Sequence, residues 1–330
     1  MNAPNSLIDR FGRVHTYLRV SVTDRCNFRC VYCMPEDGMA WMPKADILSY
    51  EEIARLVSVF VGLGVRRVRL TGGEPLVRAD LELLVEALGK LPGLDDLTMT
   101  TNGHRLAGCA ERLYAAGMRR VNVSLDSLNP ERFAALTRGG RLDKVLDGLD
   151  AARAAGMRPV KVNAVILRGE NDDEVLPLVE HFSSTAESTV LRFIEYMPFE
   201  ARWHQSVPAR ELRAKISARY TLDRHEETLG DGPAVYWKVR ETGLIVGFIS
   251  PLSEKFCSTC NRLRLMADGR LRTCLSDDGT PSLLAMLREG ADDATLARAV
   301  RAMVLGKREG HGCMEEGGTP FEGVMTRVGG

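Results

Sequence analysis

From residue 16 onward the chain alternates short β-branched runs with amphipathic stretches. The runs at 16–23, 65–71, 96–101, 118–125, 157–167 and 188–196 read as strands. Between the first two, Ser49 stands three residues before Glu52 in capping-box spacing, and Ile53, Leu56, Val57 and Phe60 then recur on one helical face. The same periodicity predicts helices over 81–90, 106–116, 142–155 and 172–183, with Gly117 and Gly156 as stops. Six strand-helix units therefore fit between residue 16 and about residue 206. Alternation of this kind predicts a parallel sheet, either closed as a barrel or open as a doubly wound sheet, and spacing alone does not separate the two.

Past residue 207 the pattern changes. A helix over 209–220 precedes antiparallel strands at 236–239 and 244–249, two helices near 282–289 and 294–306, and a Gly-rich tail ending in Gly329-Gly330. The organisation expected is an N-terminal segment 1–15, a strand-helix portion 16–207 and a C-terminal portion 208–330.

Polar residues collect where strands end. Thr71-Gly72-Gly73-Glu74-Pro75 follows the second strand, Thr100-Thr101-Asn102 the third, and Ser124 and Asp126 the fourth; Asn163 lies in the fifth, and Glu195 and Met197 close the sixth. In βα barrels the site lies at the C-terminal strand ends, so these positions outline one site.

Composition narrows the partners. Forty-four basic residues balance 44 acidic ones, so no global field favours nucleic acid or an anionic membrane, and an anionic ligand must be held by local cations. The mostly apolar run 56–65 is too short to span a bilayer and residues 1–13 lack a secretory pattern, so a cytoplasmic protein is expected. In that compartment the eight cysteines read as metal ligands sooner than as disulfides.

Cys26, Cys30 and Cys33, spaced C-x3-C-x2-C, follow the first strand. Three thiolates can grip three irons of a cubane cluster and leave the fourth iron open to a small molecule. A zinc site or adjacent buried thiols are the plainer alternatives, although no histidine or fourth cysteine follows at knuckle spacing.

The segment Cys26-Asn27-Phe28-Arg29-Cys30-Val31-Tyr32-Cys33 resembles the signature of the radical S-adenosylmethionine superfamily, and Gly72-Gly73-Glu74-Pro75 resembles the segment that there binds the methionine amino group. A second triad, Cys257, Cys260 and Cys274, encloses Asn261-Arg262-Leu263-Arg264, and the chain ends in Gly-Gly. Together these features are similar to the GTP 3',8-cyclases of that superfamily. The resemblance implies an incomplete (β/α)6 TIM-like barrel with a C-terminal α+β cluster-binding portion, two 4Fe-4S clusters on the two triads, and S-adenosylmethionine touched by Tyr32, Gly73, Ser124 and Met197. It implies GTP held by Arg19, Arg69, Thr100, Lys161, Arg262, Leu263 and Arg264, with Arg19, Arg262, Arg264, Gly329 and Gly330 in catalysis. The implied chemistry is removal of the ribose 3' hydrogen by a deoxyadenosyl radical and closure onto guanine C8. A flavodoxin- or ferredoxin-type donor, transfer of product to cyclic pyranopterin monophosphate synthase, and a homodimer are its implied partners.

Local chemistry can be set beside each inference. Arg19, Arg69 and Lys161 lie inside predicted strands among β-branched neighbours, where an unpaired charge is costly, so a ligand is favoured there. Met197 and Tyr32 read equally as packing residues, and Ser124 as a strand end. Cys109 shares a helical face with Leu106 and Leu113 and reads as core, while Cys313, near His311, matches nothing in the resemblance. A peptide-modifying radical enzyme, and a non-catalytic electron carrier or zinc-stabilised module, are the competing readings.

Overall fold

Strands β1 (Tyr17–Ser21), β2 (Arg67–Thr71), β3 (Asp96–Thr101), β4 (Arg120–Ser124), β5 (Val160–Ile166) and β6 (Thr189–Glu195) lie side by side in chain order, every adjacent pair parallel. All six fall within the runs that the hydrophobic pattern predicts. The computed structural model describes residues 6–197, 203–227, 229–277 and 281–311.

Helices α1 (Tyr50–Gly62), α2 (Leu81–Gly89), α3 (Ala110–Ala115), α4 (Pro130–Thr137), α5 (Leu142–Ala154) and α6 (Val175–Ser183) connect these strands. The expected capping box starts α1: Ser49 Oγ accepts from the Glu52 amide at 3.1 Å, and the Glu52 carboxylate accepts from the Ser49 amide at 2.7 Å. One expected helix is broken. Residues 106–116 form a 3-10 turn, Leu106–Gly108, and then α3, with Cys109 in non-helical geometry between them. Helix α4 was not foreseen, although Asn129 caps it through the Arg132 amide at 2.9 Å and Pro130 opens it.

Strand pleat sorts the side chains into two environments. In β1, Leu18 and Val20 are fully buried in the hydrophobic core, whereas Tyr17 and Arg19 between them line the cavity. In β2, Val68 and Leu70 enter the core and Arg69 and Thr71 line the cavity. Buried apolar residues of the helices, Phe60, Phe133 and Phe182 among them, belong to that same core.

The C-terminal portion extends the sheet at both edges. After α7 (Ala209–Ser217), strands β7 (Leu222–His225), β8 (Val235–Val239) and β9 (Ile245–Ile249) form an antiparallel run whose last strand pairs parallel with β6. Strand β10 (Arg262–Leu265) pairs parallel with β1 and is flanked by antiparallel β11 (Leu271–Arg272). The order is β11-β10-β1-β2-β3-β4-β5-β6-β9-β8-β7, an eleven-stranded sheet among the described residues. The two edges do not pair, so the fold is an incomplete (β/α)6 barrel lengthened by C-terminal strands. Helices α8 (Leu283–Arg288) and α9 (Asp293–Leu305) follow, and α9 packs near α1, where Arg55 pairs with Asp293 at 2.9 Å. Strands β7, β10 and β11 were not foreseen: they have four, four and two residues, too few for periodicity to stand out.

Candidate active site

A cavity of about 340 Å³ is lined at the C-terminal strand ends by Thr71, Gly72, Gly73, Glu74, Thr100, Thr101, Asn102, Ser124, Asp126, Asn163, Glu195 and Met197. These are the polar positions singled out in the sequence, and they come together. Both cysteine triads also face this cavity: Cys26, Cys30 and Cys33 from the loop after β1, and Cys257, Cys260 and Cys274 from the turns around β10 and β11.

The first cysteine loop rests on the Gly-Gly turn after β2. Gly73 donates to the Thr23 carbonyl at 2.9 Å and Glu74 to the Arg25 carbonyl at 2.8 Å. A Cβ on Gly73 would lie 2.4 Å from the Arg25 carbonyl oxygen, and Gly72, at φ +151°, would bring one equally close to that of Thr23. Below the loop, the buried Glu74 carboxylate accepts from Thr101 Oγ1 at 2.7 Å and the Asn102 amide at 2.6 Å. Tyr32 donates to Asp126 Oδ2 at 2.6 Å, while Asp126 Oδ1 accepts from the Val165 amide at 2.8 Å. Burial pushes the Asp126 carboxyl up to about 6, opposed by those two hydrogen bonds.

The two triads differ electrostatically. Burial pushes the Cys26 thiol up to about 11 and Cys30 well above the usual range. For Cys260 burial also acts upward, but Arg262 and Lys307 outweigh it and bring the thiol down to about 7. Arg262 Nη2 lies 3.6 Å from Cys260 Sγ, and Ser276 Oγ lies 3.3 Å from Cys274 Sγ. Asp277 braces the Cys274 turn by accepting from the amides of Thr273 at 2.7 Å and Cys274 at 2.8 Å.

All seven described cysteines are free thiols. Among the described residues no three His, Cys, Asp or Glu side chains converge on a point that could hold one ion. Three free thiols of each triad lining one cavity fit a cluster, where each thiolate binds its own iron.

Guanidinium groups share the cavity with the triads. Arg19, Arg69, Arg192, Arg262 and Arg264 line the cavity. Burial, then Arg264 and Arg69, hold Arg19 well below the usual arginine range, and burial, then Arg262, bring Arg264 down to about 10. Arg19 Nε, Thr100 Oγ1 and Tyr17 Oη are buried without a hydrogen-bond partner. Unpaired donors beside crowded cations are what an anionic, hydrogen-bonding ligand would satisfy.

Two expected site residues are placed differently. Lys161 lines a small adjoining chamber with Arg67, Arg120 and Asp96, and its ammonium donates to the Leu229 carbonyl. Burial, then Arg192, Arg120 and Arg69, push it down to about 6. That chamber shares Tyr17, Arg69 and Arg192 with the main cavity, so Lys161 stands at the floor of the site. Leu263 is fully buried, its side chain in the core between the cavity-lining Arg262 and Arg264. Cys109 is half-buried against the core and is absent from the cavity lining. Gly329, Gly330 and Cys313 lie outside the described residues, while His311 reaches the cavity and contacts the Pro251 carbonyl at 3.1 Å.

Arg192 was missed in the sequence. It is 3% exposed and donates to Asn163 Oδ1 at 2.9 Å and Asn122 Oδ1 at 2.8 Å. A cation inside a hydrophobic strand run, the signal that singled out Arg19 and Arg69, marks this position as well.

Residues 20–182 match the radical SAM superfamily and residues 189–313 match the family described as Molybdenum Cofactor Synthesis C. A GTP 3',8-cyclase of Paracoccus denitrificans (strain Pd 1222) is 49% identical over 94% of this chain and 91% of its own length. One from Ectopseudomonas mendocina (strain ymp) is 50% identical over 89% of each chain. The chain belongs to the GTP 3',8-cyclase family.

Membership makes it a radical S-adenosylmethionine enzyme of the lyase class, with a 4Fe-4S cluster and S-adenosylmethionine as the cofactors the superfamily implies. Fold agrees: the crystal structure of Streptococcus suis SuiB bound to S-adenosylmethionine superposes with a TM-score of 0.59 at 16% identity, covering 88% of this chain and 69% of that one. Among the described residues no helix is long and apolar enough to cross a membrane.

Proposed function

We propose that this chain converts GTP to (8S)-3',8-cyclo-7,8-dihydroguanosine 5'-triphosphate, the first step of molybdenum cofactor biosynthesis, using a 4Fe-4S cluster on each cysteine triad. The observation that carries this reading is that six cysteines and five arginines line a single cavity. Residues 16–207 supply the S-adenosylmethionine side of it and residues 208–330 the second-cluster side. When bound, the cluster on Cys26, Cys30 and Cys33 supplies the electron that cleaves S-adenosylmethionine.

The protein's own task is placement. Tyr32, Gly73, Ser124 and Met197 line the cavity on the side of the first triad and would hold S-adenosylmethionine. A triphosphate carries about four negative charges, and Arg19, Arg69, Arg262 and Arg264, which line the cavity, would pair with it, with Lys161 reaching it from the adjoining chamber. Thr100 Oγ1, buried and unpartnered, is free to donate to substrate. Guanine then faces the second triad, and the ribose sits between, where reacting atoms must come within roughly 3 to 3.5 Å of each other. Leu263 contributes through its backbone, and Gly329 and Gly330, outside the described residues, keep the catalytic part that the resemblance implies. A low-potential flavodoxin- or ferredoxin-type protein supplies electrons, and cyclic pyranopterin monophosphate synthase takes the product. A peptide substrate would have no use for so many converging cations.

The test is anaerobic incubation of reconstituted protein with S-adenosylmethionine and reductant, with and without GTP. GTP-dependent 5'-deoxyadenosine and a new cyclic nucleotide are expected. Deoxyadenosine formed at the same rate without GTP, and no nucleotide product, would overturn the reading.

A further inference from the structure

Lys307, just past α9, is 2% exposed. Its ammonium lies 3.8 Å from Cys260 Sγ, donates to the Arg262 carbonyl at 3.0 Å, and donates to the Thr273 carbonyl beside Cys274. Among the described residues no carboxylate is bonded to it. Cys260 and Cys274 favour its charge, and Arg13 and Arg262 oppose it with further positive charge. Of the carboxylates in this region, Asp9 is taken by Arg13 Nε at 2.6 Å and His15 Nε2 at 3.1 Å, and Asp277 by the amides of Thr273 and Cys274. The remaining Arg13 donors hold the carbonyls of Cys257 at 2.8 Å, Glu309 at 2.7 Å and Arg308 at 2.6 Å.

A buried ammonium without a counter-ion is costly unless a negative charge arrives. Lys307 does not line the cavity, so a bound nucleotide is not that charge. Of the groups it touches, Cys260 Sγ becomes negative when the second triad is loaded, and the Thr273 carbonyl adjoins Cys274: three thiolates on a 4Fe-4S core leave net negative charge, and a cluster's potential depends on net charge and on hydrogen bonds to its sulfurs. We propose that Lys307 is the built-in counter-ion of the second triad, a positioning residue that stabilises the loaded site and raises the reduction potential of its cluster. Arg13 acts with it from the N-terminal segment, tying the Cys257 turn to residues 308 and 309. This inference rests on the reading that the second triad holds a cluster.

The experiment uses the full chain with Cys26, Cys30 and Cys33 each changed to Ala, so that only the second triad can bind iron. Iron and sulfide per chain, the rate of iron loss to a chelator, and the midpoint potential from an EPR-monitored titration are measured for this parent and for Lys307→Met and Lys307→Arg. In Lys307→Met, iron should be lost several-fold faster and the potential should shift to more negative values, with Lys307→Arg returning towards the parent. Should Lys307→Met retain fold by circular dichroism but bind no iron, that also supports the counter-ion role, provided Lys307→Arg binds it. Equal potentials and equal chelation rates in parent and Lys307→Met would overturn the inference. So would a folded, loaded Lys307→Arg with a potential as negative as that of Lys307→Met. A parent that binds no iron at all would instead sink the two-cluster reading.

Discussion

Arg19 of β1 and Arg264 of β10 are register partners in neighbouring parallel strands, and Arg69 of β2 flanks Arg19 on its other side. Three guanidinium-bearing positions thus stand abreast on the cavity face. Like charges in adjacent register destabilise a sheet, so this row costs stability in the free protein and is repaid when an anion enters.

Removing one member should therefore separate activity from stability. Arg19→Ala is expected to lower kcat/KM for GTP about 10- to 100-fold, the scale of a charge-assisted contact of roughly 1.5–3 kcal/mol. Its melting temperature without substrate should stay level or rise, because a buried and repelled cation is gone. Calorimetry beside steady-state kinetics checks both, and a variant that loses activity only through unfolding would contradict the explanation.

Thiol reactivity should differ between the triads in metal-free protein. With Cys260 brought to about 7 and Cys26 pushed to about 11, iodoacetamide at neutral pH should modify Cys260 well before Cys26. Mass spectrometry of a labelling time course reads the order directly. Changing Arg262 to Met should slow Cys260, since Arg262 is the first of the cations that favour its thiolate.

Asp126 predicts a pH-dependent penalty. Its carboxyl is pushed from 3.8 to about 6 by burial, so the folded state holds a proton that the unfolded state releases between those values. Stability from this group is therefore lost as pH rises from about 4 to about 6 and is fully lost above it, by up to roughly 3 kcal/mol. Asp126→Asn can still accept from the Val165 amide and meet the Tyr32 hydroxyl. It should be more stable than the parent at pH 7 and gain little at pH 4, as urea denaturation at the two pH values would reveal.

Gly73→Ala tests the contact under the first cysteine loop. The added methyl would fall 2.4 Å from the Arg25 carbonyl oxygen, a backbone atom that cannot swing aside. The loop carrying Cys26 must then move, at a cost on the order of 2 kcal/mol. Iron retained by the first triad and affinity for S-adenosylmethionine should both fall several-fold, and an unchanged iron content would exclude the proposed packing role.

Much of this site can be read from the chain alone because strand pleat is local. In β1 and β2 the alternation of arginine with Leu or Val announces one face for the core and one for a ligand. Arg192 carries the same signal in the sixth strand, a lone cation among Val, Leu, Phe and Ile. Lys161 shows the limit of that logic: its strand position was legible, but the loop at Leu229 that takes its ammonium is distant in sequence. Lys307 gave no signal at all, because near a helix end a lysine is ordinarily solvated.

Local pattern determined six strands, most of their helices, two cysteine triads and the polar strand ends, since pleat, capping and ligand spacing act over a few residues. Tertiary structure decided that β10 docks beside β1 and β9 beside β6, bringing the second triad to face the first across one cavity. Those pairings join segments far apart in the chain, and edge hydrogen bonds accept any strand of suitable register. Only the folded packing selects which strand arrives, and with it which charges meet.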